Sequence, residues 1–259
     1  MTAKRYDLLD HPAVAQVLFH PRAEPPMAGG LAVEVPGRDG VAVGGRLYPA
    51  EPSSPAVLYF HGNGEIAADY ADIATLYARI GLTLLVMDYR GYGASGGTPS
   101  AAPLLDDAWL AFERAPDLFG AHGLAPDRLY LMGRSLGSAA ALEIASRAES
   151  GLAGLIIESG FAETWPLVAR LGGPVPDGAD EQANGFANAE KMARVTLPTL
   201  VIHGEEDWII PLGDGIKLHG ACAAADKRLV TIPGAGHNDL LMRGLQPYFQ
   251  AIRDLTFGG

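Results

Sequence analysis

Two serines in the chain stand in the pattern Gly-x-Ser-x-Gly, which in many enzymes surrounds a nucleophilic serine. Ser95 lies in GASGG, residues 93–97, and Ser135 lies in GRSLG, residues 133–137. A serine hydroxyl is a weak nucleophile at neutral pH unless a base takes its proton, and a third group must hold that base in one tautomer. The pattern arises easily in a chain with 33 glycines, so the surrounding sequence has to decide between the two serines.

The sequence around Ser135 predicts a tight turn from a strand into a helix, a nucleophile elbow. The apolar run RLYLM precedes the pattern, and the alanine-rich stretch SLGSAAALEIASRA begins at Ser135 itself. Such a turn lifts the hydroxyl above the sheet and places the N–H groups of the helix start beside a developing oxyanion. Ser95 follows its strand by several residues and no helix begins at it, so Ser95 is interpreted as a loop serine.

His237 is the candidate base among the seven histidines of the chain. It lies in TIPGAGHNDL, a glycine-lined loop between the last predicted strand and the last predicted helix. Ligand sites of open α/β sheets gather at this carboxyl edge of the sheet. His203 ends a strand and is interpreted as a hydrogen-bonded core histidine. The four histidines in terminal or helix-flanking segments are expected at the surface: His11, His20, His122 and His219.

Three acidic residues follow the strand run at 198–203 and are candidates to orient the histidine: Glu205, Glu206 and Asp207. All three would lie at the same edge of the sheet as His237, and spacing alone does not choose among them. No cluster of histidines and carboxylates has the spacing of metal ligands, so neither a metal nor another cofactor is expected.

The elements that must position these residues alternate between short apolar runs and longer helical patterns, which is typical of a mostly parallel sheet with helices on both faces. About eight strands are predicted, at residues 31–37, 41–49, 57–60, 82–88, 128–132, 152–158, 198–203 and 228–233. The first two flank an Asp-Gly turn and are expected to pair antiparallel. Helices are predicted at 65–80, 101–115, 136–149, 212–225 and 239–255.

The connection at residues 160–196 is too long for a plain crossover in what is otherwise expected to be a single domain over residues 1–259. Its centre, GGPVPDGADEQANG, is polar and rich in glycine and proline, which predicts an exposed loop. Connections longer than about 15 residues in a compact domain are usually functional or flexible, so a small lid is expected here. Trp165, Leu167 and Leu171 fall in this segment and either line an acyl pocket or face the core as a helical stripe.

The composition restricts the partners and the location of the protein. A net charge of −11 repels phosphate backbones, so nucleic acid is not an expected partner. The first residues lack the unbroken apolar run of a signal peptide, and no stretch approaches the ~18–20 apolar residues of a membrane span. A single cysteine, Cys222, excludes an internal disulfide and is interpreted as a packing residue. A cytoplasmic location without an integral membrane segment is therefore expected, while the oligomeric state stays open.

Five motifs in a fixed order make the sequence resemble the α/β-hydrolase superfamily from about residue 40 onward. They are YFHGNG (59–64), MDYRGYGASGG (87–97), GRSLG (133–137), IHGEEDWIIP (202–211) and PGAGHND (233–239). The resemblance is to the small serine-hydrolase branch that contains esterases, depalmitoylase-like thioesterases and serine-aminopeptidase-like proteins. It implies the α/β-hydrolase fold, with an eight-stranded mostly parallel sheet and a small lid insertion.

The resemblance also assigns roles to residues. Asp207 matches the acid of a Ser-His-Asp catalytic triad, with Glu158 after another strand as a lesser alternative. The backbone N–H groups of Asn63 and Leu136 match the two donors of the oxyanion hole. The residues expected to serve structure rather than chemistry are His61, Asp88, Tyr89 and Arg90. Glu65, an unusual acid beside the oxyanion loop, is expected in the first turn of the helix at 65–80.

The predicted function is hydrolysis of a carboxylic ester or thioester through an acyl-enzyme on Ser135. The expected partner is a small-molecule ester or thioester, because these substrates need less assistance to their leaving group than amides do. Two alternatives stay open: a peptidase acting on short peptides, and a non-catalytic binding protein that retains the fold.

Overall fold

The computed structural model of the chain describes residues 6–258. Its eight strands are β1 (Leu31–Pro36), β2 (Ala42–Tyr48), β3 (Ala56–Phe60), β4 (Thr83–Met87), β5 (Leu129–Arg134), β6 (Gly154–Glu158), β7 (Thr199–Gly204) and β8 (Lys227–Ile232). They form one sheet in the order β1-β2-β4-β3-β5-β6-β7-β8. β2 pairs antiparallel with both β1 and β4, and all the other pairs are parallel. The predicted eight-stranded, mostly parallel sheet is confirmed.

Helices connect the strands. The described residues contain α1 (Pro12–Leu18), α2 (Ala71–Arg79), α3 (Ala101–Ala121), α4 (Gly137–Ala145), α5 (Thr164–Arg170), α6 (Glu181–Asn184), α7 (Asn188–Met192), α8 (Leu212–Ala221) and α9 (Leu240–Phe257). A short 3₁₀ turn, Ala67–Tyr70, precedes α2. The five predicted helices correspond to α2, α3, α4, α8 and α9. The other four have at most seven residues each, which is too short to show a helical period in the sequence.

The sheet has a hydrophobic core on each face. One core lies under α3, α4 and α8 and takes alternate strand residues such as Leu58 and Phe60 of β3. The opposite core lies under α2 and α9 and takes the intervening residues, such as Val57 and Tyr59. Because the central strands are buried on both faces, their sequences are continuous apolar runs rather than alternating patterns.

The start of α4 packs directly against the neighbouring strand, and this contact fixes the turn after β5. A Cβ atom on Gly137 would lie 2.0 Å from the carbonyl oxygen of Phe60, so no larger residue fits there. A Cβ atom on Gly133 would lie 2.4 Å from the carbonyl oxygen of Gly137. These are the two glycines of GRSLG, and their role here is to let strand and helix approach closely.

The long connection between β6 and β7 contains α5, α6 and α7. Its polar centre, residues 171–180, is mostly exposed, in agreement with the predicted loop. The carboxylate of Glu181 joins the two sides of the connection, since it accepts hydrogen bonds from Thr164 N and from Ala187 N, both at 2.8 Å. The N-terminal helix α1, which the sequence patterns did not predict, packs against α5.

Two buried residues agree with their sequence interpretation. His203 is fully buried, and its Nε2 lies 2.7 Å from the carbonyl oxygen of Ile210. Burial lowers the pKa of His203, which keeps the imidazole neutral. Cys222 is buried against the core at the end of α8. Among the described helices, none combines the length and the apolar character needed to cross a membrane.

Candidate active site

Ser135 lies in the turn between β5 and α4, at the carboxyl edge of the sheet. Its φ of 52° places the backbone in the left-handed region, which residues with a side chain rarely adopt. Two hydrogen bonds hold this conformation: Ser135 N donates to the carbonyl oxygen of Glu158 at 3.0 Å, and Ser138 Oγ donates to the carbonyl oxygen of Ser135 at 2.6 Å. The predicted strand-to-helix turn is therefore present, with the serine at its apex.

The structure brings Ser135, His237 and Asp207 into one hydrogen-bonded chain. His237, in the loop between β8 and α9, lies with Nε2 2.9 Å from Ser135 Oγ. Its Nδ1 lies 2.7 Å from Oδ2 of Asp207, which follows β7. All three side chains are more than nine-tenths buried. The arrangement lets the imidazole take the serine proton at Nε2 while the carboxylate fixes the Nδ1–H tautomer.

The surroundings of Asp207 favour its ionised form. Its second oxygen, Oδ1, accepts hydrogen bonds from Ile209 N at 2.9 Å and Ile210 N at 2.8 Å. Burial alone would raise the pKa of Asp207, but the hydrogen bond and charge of His237 and the Ile210 amide together hold that pKa below its ordinary value. A carboxylate that stays ionised is what the orienting role requires.

The other acidic candidates are engaged elsewhere. Glu158 accepts hydrogen bonds from Arg134 Nε at 3.0 Å and from Tyr248 Oη at 2.5 Å, and it does not contact His237. Glu205 and Glu206 are exposed, and Glu205 accepts from Thr231 Oγ1 at 2.8 Å. Asp207 is thus the one member of the predicted acid set that the structure places against the histidine.

The two predicted oxyanion donors border the same cavity as Ser135. Within residues 6–258, neither the backbone N–H of Asn63 nor that of Leu136 has a hydrogen-bond partner, so both are free to bind a substrate oxygen. The Asn63 side chain is engaged elsewhere, because its Oδ1 accepts from His20 N at 2.8 Å and from Tyr92 Oη at 2.7 Å. This side chain fixes the loop and leaves the backbone amide available.

Aromatic and charged residues brace the oxyanion loop from behind, as the sequence interpretation expects. His61 is fully buried, with Nε2 3.2 Å from Asp88 Oδ1, and it does not contact Ser135. Tyr89 Oη donates to the carbonyl oxygen of His61 at 2.6 Å. Arg90 does not take part in this bracing, because its guanidinium pairs with two carboxylates elsewhere, those of Asp39 and Asp107.

Glu65 differs from its expected position. The 3₁₀ turn begins at Ala67, so Glu65 lies before the helical segment rather than in its first turn. Its carboxylate instead forms an ion pair with Arg134 and accepts from Gly62 N at 2.8 Å. Burial alone would raise the pKa of Glu65, but the Arg134 charge and the Tyr70 hydroxyl hold that pKa below 4.5.

A cavity of about 220 Å³ opens at Ser135, and six of the twelve residues that line it are leucine or isoleucine. Leu167 and Leu171 line it, where the pocket interpretation placed them. Trp165 departs from that interpretation, because it is 6% exposed, packs in the hydrophobic core and is not part of the lining. Trp208, the residue after Asp207, is 86% exposed.

The cavity also contains residues that the sequence patterns did not identify. Leu18, the last residue of α1, and His20 just after it line the cavity next to Asn63. His20 was expected at the surface without chemistry beside it; its side chain is exposed, but its Nδ1 lies 2.9 Å from Asn63 Nδ2. The available signal was the apolar spacing of Val14 and Leu18, which is too short a repeat to identify a helix by itself.

Ser95 lies away from this chain of residues. Its hydroxyl accepts a hydrogen bond from Gly44 N on β2 at 2.9 Å, and its own N–H donates to the carbonyl oxygen of Tyr92 at 2.8 Å. The first bond fastens the loop to the antiparallel side of the sheet, and the second closes a turn within the loop. The second match to the serine pattern is therefore a loop contact, as its sequence context indicates. Within residues 6–258, no group of three or more His, Cys, Asp or Glu side chains could hold a metal ion.

Comparisons with known proteins give matches over most of the chain. The family model described as serine aminopeptidase, S33 matches residues 51–176 and 176–241. An uncharacterized protein of Mycobacterium tuberculosis is 35% identical over 244 residues, which is 90% of this chain and 81% of that protein. Alpha/beta hydrolase domain-containing protein 17C of Homo sapiens is 34% identical over 198 residues, which is 73% of this chain and 55% of that longer protein.

The fold also matches solved structures. An esterase of Pyrococcus furiosus superposes with a TM-score of 0.70 at 17% sequence identity, and the match covers 90% of this chain and 98% of that one. At this level of identity the likeness concerns the fold. Together with the family match and the α/β-hydrolase relatives, it confirms the predicted α/β-hydrolase fold.

Proposed function

Because the chain belongs to the serine aminopeptidase S33 family of α/β-hydrolases, we propose that it is a serine hydrolase that cleaves a carboxylic ester or thioester through an acyl-enzyme on Ser135. One observation carries this proposal: the hydrogen-bonded chain from Ser135 through His237 to Asp207 opens into a cavity bordered by two unpaired backbone N–H groups. Membership of the family supports a hydrolase, and the site supports the choice of nucleophile.

The proposed reaction begins when Ser135 Oγ attacks the substrate carbonyl and passes its proton to His237 Nε2. The N–H groups of Asn63 and Leu136 receive the resulting oxyanion, and each such donor contributes about 3 kcal/mol to lowering the barrier. His237 then protonates the leaving alcohol or thiol as the tetrahedral intermediate collapses. A water molecule, deprotonated by the same imidazole, attacks the acyl-enzyme and releases the carboxylic acid.

The cavity lining favours an acyl chain over a peptide. Its side chains include the apolar residues Leu18, Leu136, Leu167, Leu171, Ile209 and Ile210. The free α-amino group of a peptide needs a carboxylate partner when it is desolvated, and no Asp or Glu is among the described residues of this lining. The peptidase alternative is therefore the weaker of the two enzymatic functions.

The cavity volume sets an approximate length for the acyl chain that it can hold. An apolar cavity of about 150 Å³ is sufficient for benzene, a molecule of six carbons. The cavity of about 220 Å³ beside Ser135 then accommodates an acyl group of roughly eight carbons before the chain reaches the solvent near Leu171. We propose that α5 and the loop after it, within residues 160–196, act as the lid of this single hydrolase domain.

The test combines covalent labelling with a substrate panel. A fluorophosphonate probe should add once to the intact protein, and Ser135→Ala should abolish the adduct. Ser95→Ala is the matched control and should keep both the adduct and the activity. The panel consists of p-nitrophenyl esters of rising chain length, a thioester and a p-nitroanilide. Activity on the panel no higher than that of Ser135→Ala would favour a non-catalytic binding protein, and faster cleavage of the anilide would favour a peptidase.

A further inference from the structure

A buried guanidinium lies directly behind the proposed nucleophile. Arg134, the residue before Ser135, is the last residue of β5 and stands opposite Glu158 of β6 in the sheet register. Its Nε donates to Glu158 Oε1 at 3.0 Å, and its Nη1 pairs with Glu65 Oε1. The side chain is only 10% exposed, so both ion pairs lie largely out of water, where such contacts have a strong influence on geometry.

The same guanidinium holds the histidine loop. Arg134 Nη2 donates to the carbonyl oxygen of His237 at 2.8 Å and to Asn238 Oδ1 at 2.8 Å. This loop includes Gly234, which has a positive φ of 68°, and Gly236, so its own backbone is conformationally permissive. The guanidinium therefore acts from outside the loop on the backbone of the residue that carries the imidazole.

Glu65 extends the connection to the oxyanion loop. While one carboxylate oxygen pairs with Arg134, the other accepts from Gly62 N at 2.8 Å, one residue before Asn63. A single cluster of charges therefore contacts the serine turn, the histidine loop and the oxyanion loop. Of the three charged residues Arg134, Glu65 and Glu158, only Arg134 also lines the cavity at Ser135.

We propose that Arg134 is a positioning residue, whose guanidinium sets the distance between His237 and Ser135 and the place of the Asn63 amide. The proposal rests on the serine hydrolase function proposed above. Misplacement of a catalytic group by about 1 Å can cost about 10²-fold in rate, so loss of the guanidinium should lower kcat by about that factor. KM should change little, because the leucine and isoleucine side chains that line the acyl cavity form no hydrogen bond with Arg134.

A second cavity offers a way to test this directly. It has a volume of about 350 Å³, lies behind the histidine loop, and is lined by Arg134, His237 and Asn238 but not by Ser135. Met242 on its rim is 87% exposed, so the cavity opens to solvent. A small planar cation can therefore diffuse to the position that a shortened Arg134 side chain would leave empty.

The experiment is chemical rescue of Arg134→Ala. Its kcat on a p-nitrophenyl ester should fall about 10²-fold with KM within about threefold, and millimolar guanidinium should restore at least part of the lost kcat, while sodium at equal ionic strength should not. Arg90→Ala is the matched control, because Arg90 also pairs with two carboxylates but contacts neither catalytic loop. Its folded fraction should retain kcat and show no response to guanidinium.

Arg134→Lys covers the case in which Arg134→Ala does not fold. A lysine keeps the positive charge but cannot reach both loops with its single ammonium, so kcat should still fall with little change in KM. An unchanged kcat in a folded Arg134 variant, or a loss that guanidinium leaves unaltered in Arg134→Ala, would overturn the positioning role. If Ser135→Ala instead retains activity and labelling, the proposed function itself fails, which separates the two outcomes.

Discussion

At the scale of single residues, Asp207 acts in the proposed mechanism only through the orientation of His237. Asp207→Asn keeps the size of the side chain but presents an amide in place of the carboxylate at 2.7 Å from Nδ1. An amide that donates to the ring selects the wrong tautomer, and in a Ser-His-Asp site this substitution lowers kcat by about 10⁴-fold. We expect a loss of that order in steady-state ester hydrolysis. Glu206→Gln, an exposed neighbour, should be unaffected, and equal losses in both variants would refute the assignment.

Glu65 makes stability depend on pH in a predictable direction. Its pKa in the folded protein lies below 4.5, so in acid the unfolded chain binds a proton that the folded chain does not. The stability that ionised Glu65 contributes is therefore complete above pH 4.5 and disappears as the pH falls through the folded pKa. Urea unfolding should show that Glu65→Gln costs about 2 kcal/mol near neutral pH and progressively less as the pH is lowered below 4.5. A cost that does not vary with pH would contradict this.

The site residues differ in how far the sequence could identify them. Ser135 and His237 follow from local context, because each lies where a strand ends. The choice of Asp207 among three acids needed the resemblance, since only the fold shows which carboxylate turns inward. The position of Glu65 was predicted wrongly, because its partner Arg134 is 69 residues away and becomes its neighbour only through the sheet. A buried arginine at the end of an apolar strand was the one available signal for this cluster.

At the scale of elements, the side chain of Glu181 joins the two parts of the proposed lid. Glu181 accepts hydrogen bonds from Thr164 N at the start of α5 and from Ala187 N before α7, so its carboxylate holds both parts of the connection together. Glu181→Ala leaves these N–H groups without acceptors, each at a cost of about 1–3 kcal/mol if it stays buried. We expect faster proteolysis within residues 171–185 and a lower kcat/KM for esters of longer acids.

Gln182→Ala is the matched control for the lid, because Gln182 is the exposed neighbour in the same short helix. It should leave both the proteolysis rate and the ester preference unchanged. If Glu181→Ala and Gln182→Ala are cleaved at the same rate, the connection is held by other contacts and Glu181 has no special part in it.

The elements themselves were predictable where their pattern was long enough. Six of the eight strands were predicted from apolar runs, because burial on both faces makes such segments continuously apolar. The first two strands were predicted from the Asp-Gly turn between them. The helices α1, α5, α6 and α7 were missed, since their length is set by contacts with the rest of the fold rather than by an internal repeat. Two of these missed helices, α1 and α5, contribute lining residues to the cavity at Ser135.

At the scale of the whole molecule, a net charge of −11 should disfavour negatively charged thioesters relative to neutral ones. An acyl-CoA carries several negative charges, whereas the N-acetylcysteamine thioester of the same acid is neutral. Repulsion should make kcat/KM for the acyl-CoA about tenfold lower at low ionic strength, and the difference should shrink as salt approaches 0.1 M, where screening acts over about 10 Å. Stopped assays of both thioesters across a salt series measure this ratio. A ratio that is independent of salt would show that charge has no part in the preference.

The left-handed backbone of Ser135 implies that a side chain at this position lowers the thermal stability of the protein. Holding a side chain at a φ of 52° costs about 1–3 kcal/mol, a cost that glycine avoids in the folded state. Ser135→Ala and Ser135→Gly both lack the hydroxyl, so their difference isolates the backbone. Glycine also gives the unfolded chain more conformational entropy, which offsets part of this gain. The net free energy of unfolding of Ser135→Gly should still exceed that of Ser135→Ala by about 1 kcal/mol, so its melting temperature should be about 2–4 °C higher. Selection for catalysis at this position would then have opposed selection for thermal stability.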